Sequence, residues 1–375
     1  MVSTMNIQKS MSVIDRAPLE RYLSEILGSE VSITGIRALG GTEDLNRPLK
    51  EYGYGTPLRI DVGVEGKCRS FVFNTVKPGG FGHERMSDRA SIVLWEARAF
   101  NDLPKHVRAK GVGVLTSDGD VKSLGDCEEF FILTEMVEGV ELFHDLDRIR
   151  DGGKLTQLDI ERCKALAEYL VEIHALKRED PGMYQRRIRE LIGHGECILG
   201  LTDSYPRNLD YISPEQLADI EKRCIDWRWK IKERSHRLSQ VHGDFHPWNI
   251  LFRDGTDFNV LDRSRGEWGE PADDLACMTI NYLFYALQQR GRLHGSFKTL
   301  WDTFFETYLS GTRDYEVLSV IHPFFAWRAL VIASPVWYPH LSLEIRSKLL
   351  NFAKNVLEIP LFTPDNIDML LESPP

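Results

Sequence analysis

The patterning of this chain changes character once, near Gly139, and that change limits the folds open to it. From about Val31 to Glu135, the segments Val31–Leu39, Pro57–Val64, Ser70–Val76 and Phe130–Glu135 are rich in β-branched, aromatic or other apolar residues. They are mostly bounded by Gly, Pro or charged residues, which predicts strands. One helix is expected among them, over about Asp88 to Leu103, where Ile92, Trp95, Ala99 and Leu103 recur at spacings of three and four with Glu96 beside the stripe. Beyond Gly139 the expected elements are helices: Leu158–Leu176 with its stripe of Leu166, Leu170 and Ile173, then Pro214–Arg234, Asp273–Gln289, Ser296–Leu309, Tyr315–Ala333 and Leu343–Leu357. The tail after Pro360 reads as irregular. Only Gln240–Asp262 departs from the helical pattern, as a short strand, a polar loop, a strand Ile250–Phe252, a turn at Asp254-Gly255 and a strand Phe258–Leu261.

A chain of 375 residues with 42% hydrophobic and 27% charged residues has material for two lobes, each with its own interior. We divide it at residues 1–136 and 137–375, with residues 1–28 as an N-terminal extension or helix. The formal charge of −10 argues against a broad grip on nucleic acid or anionic lipid, which needs clustered Lys and Arg, and leans toward cationic small molecules. Six cysteines with no CxxC pair suit free thiols in a reducing cytoplasm. Met1 to Ala17 contains no signal-peptide core, and the most apolar stretch, Ala329 to Tyr338, is too short to cross a membrane and is broken by Ser334 and Pro335.

The polar loop carries the sharpest motif, His242-Gly243-Asp244-Phe245-His246-Pro247-Trp248-Asn249, followed across the expected hairpin by Val260-Leu261-Asp262. A carboxylate such as Asp244 can orient an alcohol and take its proton. Asn249 and Asp262 supply oxygens of the kind Mg²⁺ binds beside phosphates and water. The five-residue interval from Asp244 to Asn249 matches that of the kinase catalytic loop, H-R-D-x-x-x-x-N.

With its H-G-D-x-H-x-x-N form, the loop resembles the aminoglycoside phosphotransferase and choline kinase family. The resemblance continues through Asp262 to Ala276, similar to that family's D-x(n)-G-[DE]-P-x-x-D-[LV]-A segment. It implies an α+β, two-lobed protein-kinase-like fold, with a small mainly-β N-terminal lobe and a larger mainly-α C-terminal lobe. It also implies transfer of the γ-phosphoryl group of Mg·ATP to a hydroxyl of a small molecule, with ATP and Mg²⁺ as cofactors. By the same resemblance Asp244 is the catalytic base, Asn249 and Asp262 hold the metal, His242 and His246 support the loop, and Asp274 steadies it from a buried position. Read on its own, Asp273 sits where a helix N-cap is expected. No Phe-Gly follows Asp262, and the stretch to Asp274 is too short for a regulated activation loop, so protein substrates are disfavoured.

In the first lobe, Phe71 to Lys77 reads as a strand ending in lysine, and Lys77 with Glu96 fits the lysine and helix carboxylate that hold the α and β phosphates, with Arg98 and Glu84 as rivals. Gly40 and Gly41 could cover the phosphates. Backbone groups from Glu135 to Val137, in Ile132-Leu133-Thr134-Glu135-Met136-Val137-Glu138-Gly139, resemble the hinge that meets adenine. Trp268, beside Glu267, is a candidate to line an acceptor pocket, whereas Trp327, Trp337, Tyr338 and His174 read as core residues. Two other functions fit parts of the chain. A calcineurin-like metallophosphoesterase would share the G-D-x-H string of Gly243 to His246, but no G-N-H-[DE] string occurs. A non-catalytic nucleotide-binding module would not need Asp244, both metal residues and a lysine together.

Overall fold

Residues 15–39, 57–79, 82–125 and 127–373 are described in a computed structural model of the protein. The chain divides into two compact units, Met1–Thr134 and Glu135–Pro375. Helices and small antiparallel sheets give it a mixed α+β character. Among the described residues no helix is long and apolar enough to cross a membrane.

The first unit opens with helix α1 (Arg16–Leu27), ended by Gly28 in the left-handed conformation (φ 64°). An antiparallel meander follows, β1 (Val31–Ala38), β2 (Leu58–Val64) and β3 (Lys67–Phe73). Every second residue of β2 is buried, so one face of the sheet is apolar, and Leu19, Tyr22 and Leu23 of α1 cover it by packing with Val31, Ile33, Ile60, Val62 and Val64. Glu20 Oε1 accepts from Ile33 N–H at 2.6 Å and Ser24 Oγ from Val31 N–H at 3.0 Å, which ties the helix to the strand. Next come helix α2 (Met86–Asp102) and a hairpin of β4 (Gly113–Leu115) and β5 (Val121–Ser123).

Three expectations change in this part of the chain. The stripe Ile92, Trp95, Ala99 and Leu103 of α2 does not become core: the helix has no buried residue and Trp95 is 76% exposed. The third strand stops at Phe73, so Lys77 lies beyond it. The expected strand Phe130–Glu135 does not form, and Phe131 is 91% exposed. Strand-favouring composition needs a ladder partner, and no described strand pairs with this segment.

The second unit begins with β6 (Val140–Glu141), then α3 (Leu142–Arg150), α4 (Gln157–Ala175), α5 (Pro181–Gly193), α6 (Ile198–Asp203) and α7 (Pro214–Ile231). Strand β7 (Ser239–Gln240) leads into the loop and hairpin of β8 (Ile250–Phe252) and β9 (Phe258–Val260). β10 (Trp268–Gly269) then pairs with β7. The helical end comprises α8 (Pro271–Arg290), α9 (Gly295–Thr312), α10 (His322–Ala333), α11 (Leu343–Val356) and α12 (Ile367–Leu371). Residues 271–287 of α8 are all buried, so this helix is the axis of the core, enclosed by aromatic packing such as Tyr282 on Phe304.

The expected helix Tyr315–Ala333 is broken into a 3₁₀ turn at Tyr315–Ser319 and α10, because Pro323 lacks the N–H that would continue a helix through it. The cap of α8 is Glu270, whose side chain accepts from Ala272 N–H, because Pro271 fixes the first helical position; Asp273 lies inside the first turn and is not the cap. The tail is ordered and not irregular: Trp301 donates to the Pro364 carbonyl and Asn355 to the Leu370 carbonyl, seating α12 on α9 and α11.

Candidate active site

The loop between β7 and β8 is held from beneath by one carboxylate. Asp274, in the first turn of α8 and fully buried, accepts from His242 N–H and from Gly243 N–H, both at 2.7 Å. His174 Nε2 lies 3.2 Å from the same carboxylate, and its Nδ1 is 2.9 Å from the Tyr308 hydroxyl. Burial pushes the Asp274 carboxyl up, but the bonds from His174 and the His242 backbone outweigh it and keep the group below the ordinary aspartate range. His174 is therefore buried as read, but it also belongs to the loop's support. Its distance in sequence, 100 residues from Asp274, hid that link.

Gly243 is required by geometry. Its φ is 87°, and an added Cβ would approach the Cβ of Arg265 to 3.1 Å. Burial lowers the pKa of the His242 ring, which favours its neutral form, and its Nδ1 accepts from Asp244 N–H at 3.3 Å. His246 does the same for Trp248 N–H at 3.3 Å, and Asn249 N–H bonds back to the His246 carbonyl at 2.9 Å. These bonds fold the loop back at both histidines and point Asp244 and Asn249 from one short turn.

Asn249 and Asp262 meet at the open end of the β8–β9 hairpin. Ile250 pairs with Val260, and one step further Leu261 N–H donates to the Asn249 carbonyl at 2.8 Å. Asp262 follows with φ 53° and is exposed. The Asn249 amide nitrogen donates to the Asp244 carbonyl at 3.1 Å, which leaves the amide oxygen as the group it can offer a cation. One amide oxygen and one carboxylate beside phosphates and water is a set that suits Mg²⁺. Among the described residues no group of three His, Cys, Asp or Glu forms a site of the zinc type.

The residue that sequence reasoning missed is Arg328. It lies in the buried helix α10 and donates from Nη1 to Asp244 Oδ1 at 2.6 Å, and from Nη2 to Asp273 Oδ1 at 2.7 Å and the Gly243 carbonyl at 3.0 Å. Burial pushes the Asp244 carboxyl up, but Arg328, His246 and Arg265 together hold it well below the usual carboxylate range. Arg265 Nε is 3.7 Å from Asp244 Oδ1 and His246 Nε2 is 3.6 Å from Oδ2. A signal was available: Arg328 is a single charge in the apolar run Phe324 to Ala333, and a charge buried there needs a partner.

Of the aromatic candidates, Trp327 is buried with Arg328 and Arg265 over its ring, at 3.9 and 4.8 Å from the centroid. Tyr338 packs edge-on against Phe284 and Trp268 faces Arg178, whereas Trp337 is exposed and is not a core residue. In the first unit Lys77 is exposed, and Glu96 lines a cavity of about 710 Å³ with Phe71, Val72, Val93 and Phe100. The two are not joined by an ion pair. Gly40 and Gly41 lie outside the described residues. Glu135 is exposed and Val137 half-buried.

The phosphotransferase enzyme family (APH) matches this sequence over residues 93–318, and the chain belongs to that family. It is thus a phosphotransferase enzyme. No curated protein matches the chain. Among solved structures, it is similar to a Plasmodium vivax ethanolamine kinase, at 14% identity over 90% of this chain and 80% of that one, with a TM-score of 0.36. It is also similar to the amicoumacin kinase hAmiN, at 14% identity over 97% and 99% with a TM-score of 0.40. An aminoglycoside phosphotransferase bound to ADP gives 12% identity over 92% and 100% with a TM-score of 0.34. These superpositions are loose, and the family assignment rests on the sequence match.

Proposed function

We propose that the protein is an ATP-dependent kinase that phosphorylates a hydroxyl of a small molecule, with Asp244 facing the acceptor and Asn249 with Asp262 holding Mg²⁺. The observation that carries this reading is the short chain of contacts joining those three residues, from the Asp244 carbonyl to the Asn249 amide and from the Asn249 carbonyl to the residue before Asp262. Bound Mg²⁺ would neutralise charge on the β and γ phosphates. Asp244 stays ionised, accepts a hydrogen bond from the acceptor hydroxyl and aims its oxygen at the γ-phosphorus. The new bond joins that oxygen to phosphorus, the bond to the β–γ bridging oxygen breaks, ADP leaves, and the acceptor proton passes to Asp244. A carboxylate held this far down is a weak base, so orientation is its larger contribution, in keeping with a loose transition state in which positioning dominates.

Lys77 and Glu96 are assigned to the α and β phosphates, Gly40 and Gly41 to their cover, and the backbone of Glu135 to Val137 to adenine. Among the described residues neither Lys77 nor Glu96 has an ion-pair partner. On this reading residues 1–136 are the nucleotide-binding lobe and 137–375 the catalytic and acceptor-binding lobe of a protein-kinase-like fold. Location in the cytoplasm is supported by cysteines that are all free. The test is ADP release from Mg·ATP across amino sugars, amino alcohols, neutral sugars and hydroxy acids, with wild type beside Asp244→Asn. Acceptor-dependent release that disappears in the variant supports the kinase, and release that persists unchanged removes Asp244 from it.

A further inference from the structure

We propose that the acceptor carries a carboxylate near the hydroxyl that is phosphorylated, and that Arg265 binds it; this rests on the kinase reading above. Arg265 follows Asp262 by three residues, and its side chain is only 18% exposed. A guanidinium has N–H donors on three nitrogens, and when buried it is normally met by oxygen acceptors. Here two carboxylates stand within ion-pair range, but among the described residues no oxygen is hydrogen-bonded to it. Nε is buried without a partner, 3.7 Å from Asp244 Oδ1. Nη1 is 3.4 Å from Glu196 Oε2, outside hydrogen-bond geometry and on a side chain that is 63% exposed, and it otherwise reaches only Cys197 Sγ at 3.9 Å. Arg328, beside it, shares the unpartnered Nε but has oxygen partners on both terminal nitrogens.

The group is also rigidly placed. Trp327 supports it from one side, and the Cβ of Arg265 lies against Gly243. Its neighbours Trp327, Glu196 and Cys197 belong to α10 and the approach to α6. A planar fork of donors beside the Asp244 carboxylate fits a planar anion on the acceptor. Arg265 would repel an ammonium brought against its own donors, whereas Arg328 is already answered by Asp244 and Asp273.

The experiment uses matched acceptors, glycerate with glycerol, threonate with threitol and gluconate with glucitol, and adds ethanolamine and glucosamine. Binding of each to the full chain with Mg·AMP-PNP is measured by calorimetry, and turnover by ADP release. The expected result is that acids bind and turn over while their uncharged partners do not. Arg265→Gln raises KM for the acid roughly tenfold to a hundredfold, a larger change than the one in kcat that follows from its loss beside Asp244, and Arg265→Lys recovers part of the KM. Circular dichroism melts confirm that both variants fold. Preference for polyols or amines, or no acid binding to the nucleotide complex, overturns the proposal and leaves the kinase standing. A fall in kcat with acceptor KM unchanged also overturns it, by giving Arg265 to the transferred phosphoryl group. If wild type binds no Mg·AMP-PNP and releases no ADP, the kinase reading itself fails, and this proposal with it.

Discussion

Arg328 bonds to Asp244 at 2.6 Å and to Asp273 at 2.7 Å, so one guanidinium answers two buried carboxylates from helix α10. Removing its charge while keeping its bulk, as in Arg328→Met, leaves Asp273 without its ion pair and Asp244 with only the longer contacts to Arg265 and His246. The expected loss of stability is about 3–5 kcal/mol. Urea unfolding checks this, and an unchanged midpoint would show that the pair does not hold the loop.

The depressed Asp244 carboxyl has a consequence for pH. Its pKa lies below the ordinary aspartate value of 3.8, so the stability it contributes is complete above that value and is lost as pH falls through the lower, folded-state pKa. Asp274 and Asp314 are shifted in the same direction and add to the effect. Unfolding followed by tryptophan fluorescence should therefore show stability falling already below about pH 6.5, where the buried rings of His242 and His322 resist protonation, with the share of these carboxylates lost only in stronger acid. An acidic limb of kcat near neutrality would mean that Asp244 is not the titrating group.

Asp262→Ala is expected to abolish Mg·ATP binding and turnover together. Asp244→Asn should leave nucleotide binding intact and lower kcat by about 10²–10⁴. Calorimetry with Mg·AMP-PNP separates the two, and tight binding in Asp262→Ala counts against its metal role.

Asp274→Ala strips the acceptor from the backbone N–H groups of His242 and Gly243. Each donor left buried costs about 1–3 kcal/mol. Hydrogen exchange should report loss of protection at those two amides before any global change, together with a lower kcat. Protection equal to wild type would remove Asp274 as the anchor.

What could be read from the sequence was local. The turn at Asp254-Gly255 forces the hairpin to return, so the nearness of Asn249 to Asp262 follows from short-range signals. The helix starting near Asp88 was placed to within two residues, because Asp88 accepts from Arg85 N–H and marks the first turn. What failed depended on distant partners. Phe130 to Glu135 has strand composition but no strand beside it, and the stripe on α2 has no surface that buries it. Arg328 and His174 were passed over because their partners lie 84 and 100 residues away in the chain. No periodicity connects such positions.

The position of Arg328 also orders events during synthesis. Asp244 leaves the ribosome 84 residues before the guanidinium that neutralises it. Until α10 emerges, a nascent chain carrying the complete loop and α8 must keep Asp244 and Asp273 hydrated, because closing the core around them would strand two charges. The polypeptide therefore acquires its reactive geometry late and all at once, when its last helices arrive, and a truncated product ending before α10 is a client for chaperones and proteases and not a partly working enzyme.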